Sequence, residues 1–289
     1  YTLYADMSQR VVDILRDYAP DLEVYSIDES FLRIEQVLPL HGGGVALGRQ
    51  MRQRIRQWTG LPVCVGIGPT KTLAKLANHI AKKHPRSRGV FNYNDLTELQ
   101  QSRLLGRIAV DEVWGVGRRL SSRLMAHGIR TVQDLRLAHV PSLRAEFGVV
   151  MEKTQRELNG LACIDMQEVQ ADKQQIIASR SFGSMVEDVD VLKDAVSMFV
   201  ANACAKLRAQ GSHASVIQVF LMTNRFRKDL PQYMPSLVVP LPQPTSDSLV
   251  VSRWAGHLVE RMFRFGYQYK KAGVMLSGIA PQGRYQIDW

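Results

Sequence analysis

Apolar residues first recur at helical spacing: Met7, Val11, Ile14, Leu15 and Tyr18 share one face of a run from 4 to 18, and Pro20 ends it. The period then shortens. Residues 22–35 read as a buried strand, with Val24-Tyr25 before and Phe31-Leu32 after the run Ser26-Ile27-Asp28-Glu29-Ser30. His41-Gly42-Gly43-Gly44 marks a loop. Leu47, Met51, Ile55 and Trp58 then stripe a helix whose other faces carry Arg49, Arg52, Arg54 and Arg56. Residues 61–67 predict a second buried strand, and Pro69-Thr70 opens a helix from Lys71 to Lys83. Strand and helix alternating in this order predict an α/β layer with helices packed on a sheet.

A helical region follows, from 93 to 170. The last third carries strand signals at 175–182, 214–223, 233–240 and 268–277, alternating with helices at 190–209 and 246–265. The order β-α-β-β-α-β is the split βαβ, ferredoxin-like arrangement, a complete small domain. The predicted class is therefore α/β and α+β multidomain, divided at 1–92, 93–170 and 174–283 with a short tail at 284–289.

Composition adds a partner class. At 289 residues and 45% apolar the chain can build two or three packed cores. Its net charge of +10 is unevenly spread: residues 1–92 carry 13 basic and 8 acidic side chains, 93–173 carry 11 and 11, and 174–289 carry 13 and 8. Two separate basic segments favour a polyanionic partner such as nucleic acid; a basic protein without such a partner is the plainer alternative. Cys64, Cys163 and Cys204 are scattered and form no CxxC pair, which predicts a reduced, cytoplasmic protein without disulfides or structural zinc. No apolar run approaches the roughly 18–20 residues of a membrane span. Tyr1 opens directly into an amphipathic segment with no initiating Met, so a piece of a longer protein is expected.

Asp28 and Glu29 are the candidate chemistry. Successive strand residues point to opposite faces, so an acid pair within a strand sends one carboxylate towards a buried site. That is costly unless a cation compensates it. Mg²⁺ is a cation that carboxylates hold together with substrate phosphates. The alternative is a strand end where both acids reach water. Farther on, Val113-Trp114-Gly115-Val116-Gly117-Arg118-Arg119 leads into a helix containing Leu124, and Gly128-Ile129 and Thr131 to Leu135 follow. A Gly-x-Gly turn between two short helices looks like a helix-hairpin-helix module, whose free N–H groups accept a phosphate. Arg118, Arg119 and Arg123 would reinforce that attraction without reading sequence; an ordinary tight turn is the alternative.

Other motifs fail. Gly66-Ile67-Gly68-Pro69-Thr70-Lys71-Thr72 lacks the Walker A spacing, and no G-x-S-x-G accompanies His41-Gly42-Gly43-Gly44. His79 and His84 lack matching metal ligands. Lys71, Lys75, Lys82 and Lys83 form either a solvated helix face or a charge that neutralises a triphosphate.

Taken in order, the motifs resemble those of Y-family translesion DNA polymerases, most closely the UmuC-type catalytic subunits. The matching segments are Leu3-Tyr4-Ala5-Asp6-Met7-Ser8-Gln9-Arg10, Tyr25 to Phe31, Val65 to Asn78, Val113 to Arg119, Ala178 to Gly183, and Lys271-Ala272-Gly273-Val274-Met275-Leu276. The resemblance covers essentially the whole chain. It implies a partial right-hand palm over 1–92, a helix-hairpin-helix thumb, and a little-finger domain. It further implies that Asp28 and Glu29 bind the two catalytic Mg²⁺ ions and that Lys82 contacts the incoming nucleotide's triphosphate. Gly115, Val116, Gly117, Arg118 and Arg119 would hold the duplex backbone, and Arg180, Ser181, Phe182 and Gly183 would meet the template strand.

One departure is evident. The family's first catalytic Asp, on a strand before the fingers, has no counterpart here, and Asp6 belongs to a different motif. The chain alone is thus expected to bind DNA without catalysing. Gln286-Ile287-Asp288-Trp289 resembles the start of a sliding-clamp-binding peptide. The resemblance also implies damaged primer-template DNA, deoxynucleoside triphosphates, a UmuD-type dimer, a recombinase filament and the clamp as partners, and no membrane. A non-catalytic DNA- and clamp-binding accessory is the rival reading, to which an intact acid pair is foreign.

Overall fold

A computed structural model of the chain describes residues 2–166 and 173–282, in two compact units, Tyr1–Gln170 and Ala171–Trp289. The clamp-peptide residues Gln286 to Trp289 lie outside the described residues.

The first unit opens with α1 (Thr2–Arg16) and a hairpin of β1 (Leu22–Val24) and β2 (Ser30–Leu32). α2 (Gly44–Thr59), β3 (Val65–Ile67), α3 (Lys71–Lys83) and β4 (Val90–Asn92) follow. Ile14 and Leu15 of α1, with Tyr18 just past its end, bury against Leu47, Met51 and Ile55 of α2, the stripes read from the sequence. Thr70 caps α3 by accepting the Leu73 N–H at 3.2 Å, which starts the helix at the residue expected.

The predicted 22–35 strand is corrected. Leu22 pairs with Leu32 and Val24 with Ser30, antiparallel, so the chain reverses across residues 25–29 and both acids sit in the turn. The Tyr25 and Ser26 N–H groups donate to the Glu29 carbonyl, and the Ser26 hydroxyl donates to Asp28 Oδ1 at 2.6 Å. These local bonds replace the ladder. The predicted 61–67 strand is also shorter, and it pairs in parallel with β4, which the apolar pattern did not reveal.

Gly66 and Gly68 explain the glycines that mimic a phosphate loop. A Cβ on Gly66 would lie 2.0 Å from the Asn78 backbone nitrogen, so glycine is what lets α3 rest on β3.

Further α-helices among the described residues of this unit are α4 (Glu98–Leu105), α5 (Arg118–Ala126), α6 (Val132–Leu137), α7 (Val140–Phe147) and α8 (Val149–Leu158). Leu73, Leu76 and Ile80 of α3 share a core with Leu105, Leu124, Leu135 and Leu158, so packing runs continuously across residue 92. Buried Glu157 ties the parts together. Its carboxylate accepts N–H bonds from Thr72 at 3.0 Å, Cys163 at 2.7 Å and Ile164 at 3.2 Å.

The second unit runs β5 (Ile176–Val186), α9 (Val189–Ala209), β6 (Ser212–Thr223), β7 (Ser236–Thr245), α10 (Ser248–Met262) and β8 (Tyr269–Pro281). The β-α-β-β-α-β order is as read from the sequence. The sheet order is β5-β8-β6-β7 with every neighbour antiparallel, so the fourth and second strands are central. Each β-α-β crossover straddles one other strand. Val196, Val200 and Leu207 of α9 and Val251, Leu258 and Val259 of α10 bury against Ile217, Val219 and Leu221 of β6. Burying one such side chain is worth about 1.5–3 kcal/mol.

Candidate functional site

The β1–β2 turn presents Asp28 to solvent, and among the described residues its side chain is held by the Ser26 hydroxyl alone. Glu29 is half-buried and paired with Lys75 of α3 at 2.9 Å. The Lys75 ammonium also lies 4.6 Å from the Tyr25 ring centre and 4.9 Å from that of Trp114. Such contacts contribute about 0.5–2 kcal/mol each. The Trp114 indole N–H donates to the Tyr25 hydroxyl at 3.1 Å, with the rings edge-on at 5.2 Å. A box of Tyr25, Trp114 and Lys75 therefore fixes the acid turn against the loop that precedes α5.

The lysines of α3 separate by role. Lys71 is buried, bridged to Glu23 and bonded to the Asp165 carbonyl at 2.7 Å. Lys75 holds Glu29, and Lys83 holds Glu112 at 2.7 Å. Lys82 is exposed and has no ion pair or hydrogen bond among the described residues. Spacings of four, three and four place Lys71, Lys75, Asn78 and Lys82 along one helix face. That spacing is the signal by which sequence reasoning could have found Lys75, which it had grouped with Lys71 and Lys83 and given no role of its own.

The acid turn, α1, α2, β3 and α3 enclose a cleft of about 850 Å³. Its walls are largely apolar, from Tyr4, Met7, Leu32, Val63 and Ile67, and Asp28, Glu29, Lys75 and Asn78 add the polar groups. Asn78 Oδ1 is buried there without a hydrogen-bond partner. Both acids supply hard oxygen donors suited to Mg²⁺. No group of three or more His, Cys, Asp or Glu side chains that could hold a metal occurs among the described residues.

Residues Gly115 to Gly117 form a turn between a short 3-10 helix (Val110–Glu112) and α5. Gly115 adopts φ +87°, a conformation that favours glycine, and Gly117 precedes the first turn of α5. Arg118 and Arg119 are exposed and unpaired among the described residues, whereas Val116 is buried in the core. Arg123 differs from expectation: it donates to the Glu146 carbonyl at 2.8 Å and stacks on Phe147 at 5.0 Å, a packing role. Thr131 and Asp134 form a capping box at the start of α6.

In the second unit Arg180, Ser181 and Gly183 are exposed on edge strand β5, and Phe182 packs against the core. Ser181 lies opposite Lys271 on β8. Lys270 Nζ donates to the Gly183 carbonyl at 3.1 Å and to that of Phe182.

This architecture is that of a Y-family DNA polymerase. A Y-family DNA polymerase chimera, Dbh-Dpo4(243-245)-Dbh, matches 97% of the chain and 77% of its own with a TM-score of 0.66 at 21% identity. A post-insertion binary complex of Dbh DNA polymerase matches at 0.53 over 97% and 78%. The chain belongs to the impB/mucB/samB family, whose model matches residues 1–79 and whose C-terminal domain matches residues 173–289. Protein UmuC of Salmonella typhimurium (strain LT2) is 42% identical over the whole chain, which spans 68% of that protein. Protein ImpB of Salmonella typhimurium is 40% identical over 98% of the chain and 66% of its own length. DNA polymerase IV of Moorella thermoacetica is 28% identical over 100% and 69%. The chain thus spans about two thirds of the relatives it matches. No helix among the described residues is long and apolar enough to cross a membrane.

Proposed function

We propose that the whole protein is an error-prone translesion DNA polymerase that extends a primer opposite damaged template by template-directed nucleotidyl transfer. The observation that carries this is the acid turn beside the lysine face of α3. Asp28, Glu29 and Lys75 line one cleft, with Glu29 paired to Lys75. Asp28 and Glu29 would hold Mg²⁺, which when bound activates the primer hydroxyl and neutralises phosphate charge. Lys82, the lysine of this face left unpaired among the described residues, takes the triphosphate. The Gly115 to Arg119 turn binds duplex phosphates through its backbone and two arginines. Arg180, Ser181 and Gly183 on β5 approach the template strand, and Phe182 sets their register from the core side.

A further carboxylate, contributed by residues beyond this chain, completes the ligand set. This chain by itself binds DNA without synthesis. A processed UmuD-type dimer, a recombinase filament and, through Gln286 to Trp289, a sliding clamp are the partners that the UmuC likeness supports. The test is Asp28→Ala in the full-length protein. Primer extension should fall by at least 10³-fold, as expected when an electrostatic element worth about 4 kcal/mol is lost, while primer-template affinity holds. Retained synthesis overturns the assignment.

A further inference from the structure

The His79 and Lys83 side of α3, together with α4, encloses a second concavity of about 730 Å³. Its floor is apolar, built from Ile80, Leu104 and Ile108, and its rim carries Lys83, Arg103 and Arg107 with His79 and His84 beside them. Glu112 is the one carboxylate in the lining. It is already engaged by Lys83 at 2.7 Å and faces His79 Nδ1 at 3.2 Å. Three cations against one carboxylate leave the lining at +2 with both histidines neutral. The Arg103 and Arg107 guanidiniums make no ion pair or hydrogen bond among the described residues. Two unpaired guanidiniums beside a lysine repel one another until an anion enters, and their forked donors match phosphate oxygens. A concavity of about 300–1,000 Å³ suits a small molecule, whereas a nucleic-acid backbone is gripped along an extended track.

We infer that this concavity binds a small ligand bearing two or more phosphates, held by Arg103, Arg107 and Lys83. The site is separate from the acid turn and does not depend on the polymerase reading. Such phosphate chemistry comes either from inorganic polyphosphate or from a nucleotide, whose base the apolar floor would cover.

Calorimetric titration of the purified chain with inorganic pyrophosphate, and in parallel with inorganic tripolyphosphate and adenosine triphosphate, all without divalent metal, tests the site. Pyrophosphate should bind, and R103E/R107E should weaken it at least tenfold. R253E/R261E, an equal charge change on α10, should leave it unaltered. Tighter binding of adenosine triphosphate than of inorganic tripolyphosphate assigns the floor to a base, and equal binding of those two assigns the site to polyphosphate. If R103E/R107E fails to fold, phenylglyoxal labelling of the unmodified chain gives the answer, since pyrophosphate should protect Arg103 and Arg107. Three results overturn the proposal: no pyrophosphate binding at millimolar concentration, no protection, or a single-stranded oligonucleotide that protects both arginines when pyrophosphate does not.

Discussion

The two compact units build stability by different means. In the second, strands of 10 to 13 residues form one four-stranded sheet, and two helices bury a continuous apolar face against it. In the first, each of the four strands among the described residues has three residues and they form two separate pairs. Two-stranded sheets are marginal alone, so this unit relies on helix packing and on buried polar ties such as Glu157 and the Lys71–Glu23 bridge. The candidate chemistry follows the same division. Asp28, Glu29 and Lys75 sit where ladder bonds are few, and the scaffold beneath them is held by side chains. A regular sheet carries stability well. A short hairpin can place two adjacent carboxylates at a cleft's lining, one open to solvent and one paired with a lysine.

The largest effect should come from cutting a polar tie. Glu157→Ala leaves three N–H groups without their acceptor and should cost about 3–5 kcal/mol. Hydrogen exchange should show the loss across residues 71–164 while β6 and β8 keep their protection; equal loss in both units would break the comparison. Leu221→Ala is the counterpart in the second unit, where the side chain is fully buried. A cost of about 2–5 kcal/mol is expected, confined to the second unit by the same measurement.

A smaller effect concerns the capping box of α6. Burial pushes the Asp134 carboxyl upward, but hydrogen bonds from Thr131 and Arg130 outweigh it and hold the group below its ordinary 3.8. A carboxyl lowered in the folded state adds stability that is present above the unfolded value and lost as pH falls through the folded one. Between neutral pH and pH 4, Asp134→Asn should therefore remove a constant increment. Below that the wild type and variant should converge, as read by urea titrations at successive pH values.

Legibility in the sequence followed the same contrast. The second unit's element order was readable because its strands are long enough for the period of two to show, as in Ser212–Thr223. α3 was readable to the residue because Thr70 caps it and its apolar stripe is unbroken. The acid hairpin was not, because its turn contains no Gly, Pro or Asn and the apolar residues on either side keep alternating. Ser26 and Asp28 make that turn by bonding to each other, a pairing that local pattern does not announce. β4 was missed because three residues cannot display a period. Among the site residues, the acid pair stood out by its place in the chain and Lys82 only through the family resemblance. Lys75 and Trp114 gain their importance only when 89 residues of separation between Trp114 and Tyr25 collapse to a 3.1 Å bond.

That bond gives Trp114 an unusual position. It stands at the start of the glycine turn that we propose follows the duplex, yet its ring and N–H are spent on the acid hairpin. The acid hairpin and the glycine turn therefore share one aromatic side chain, and a displacement of either is expected to be transmitted to the other through its plane.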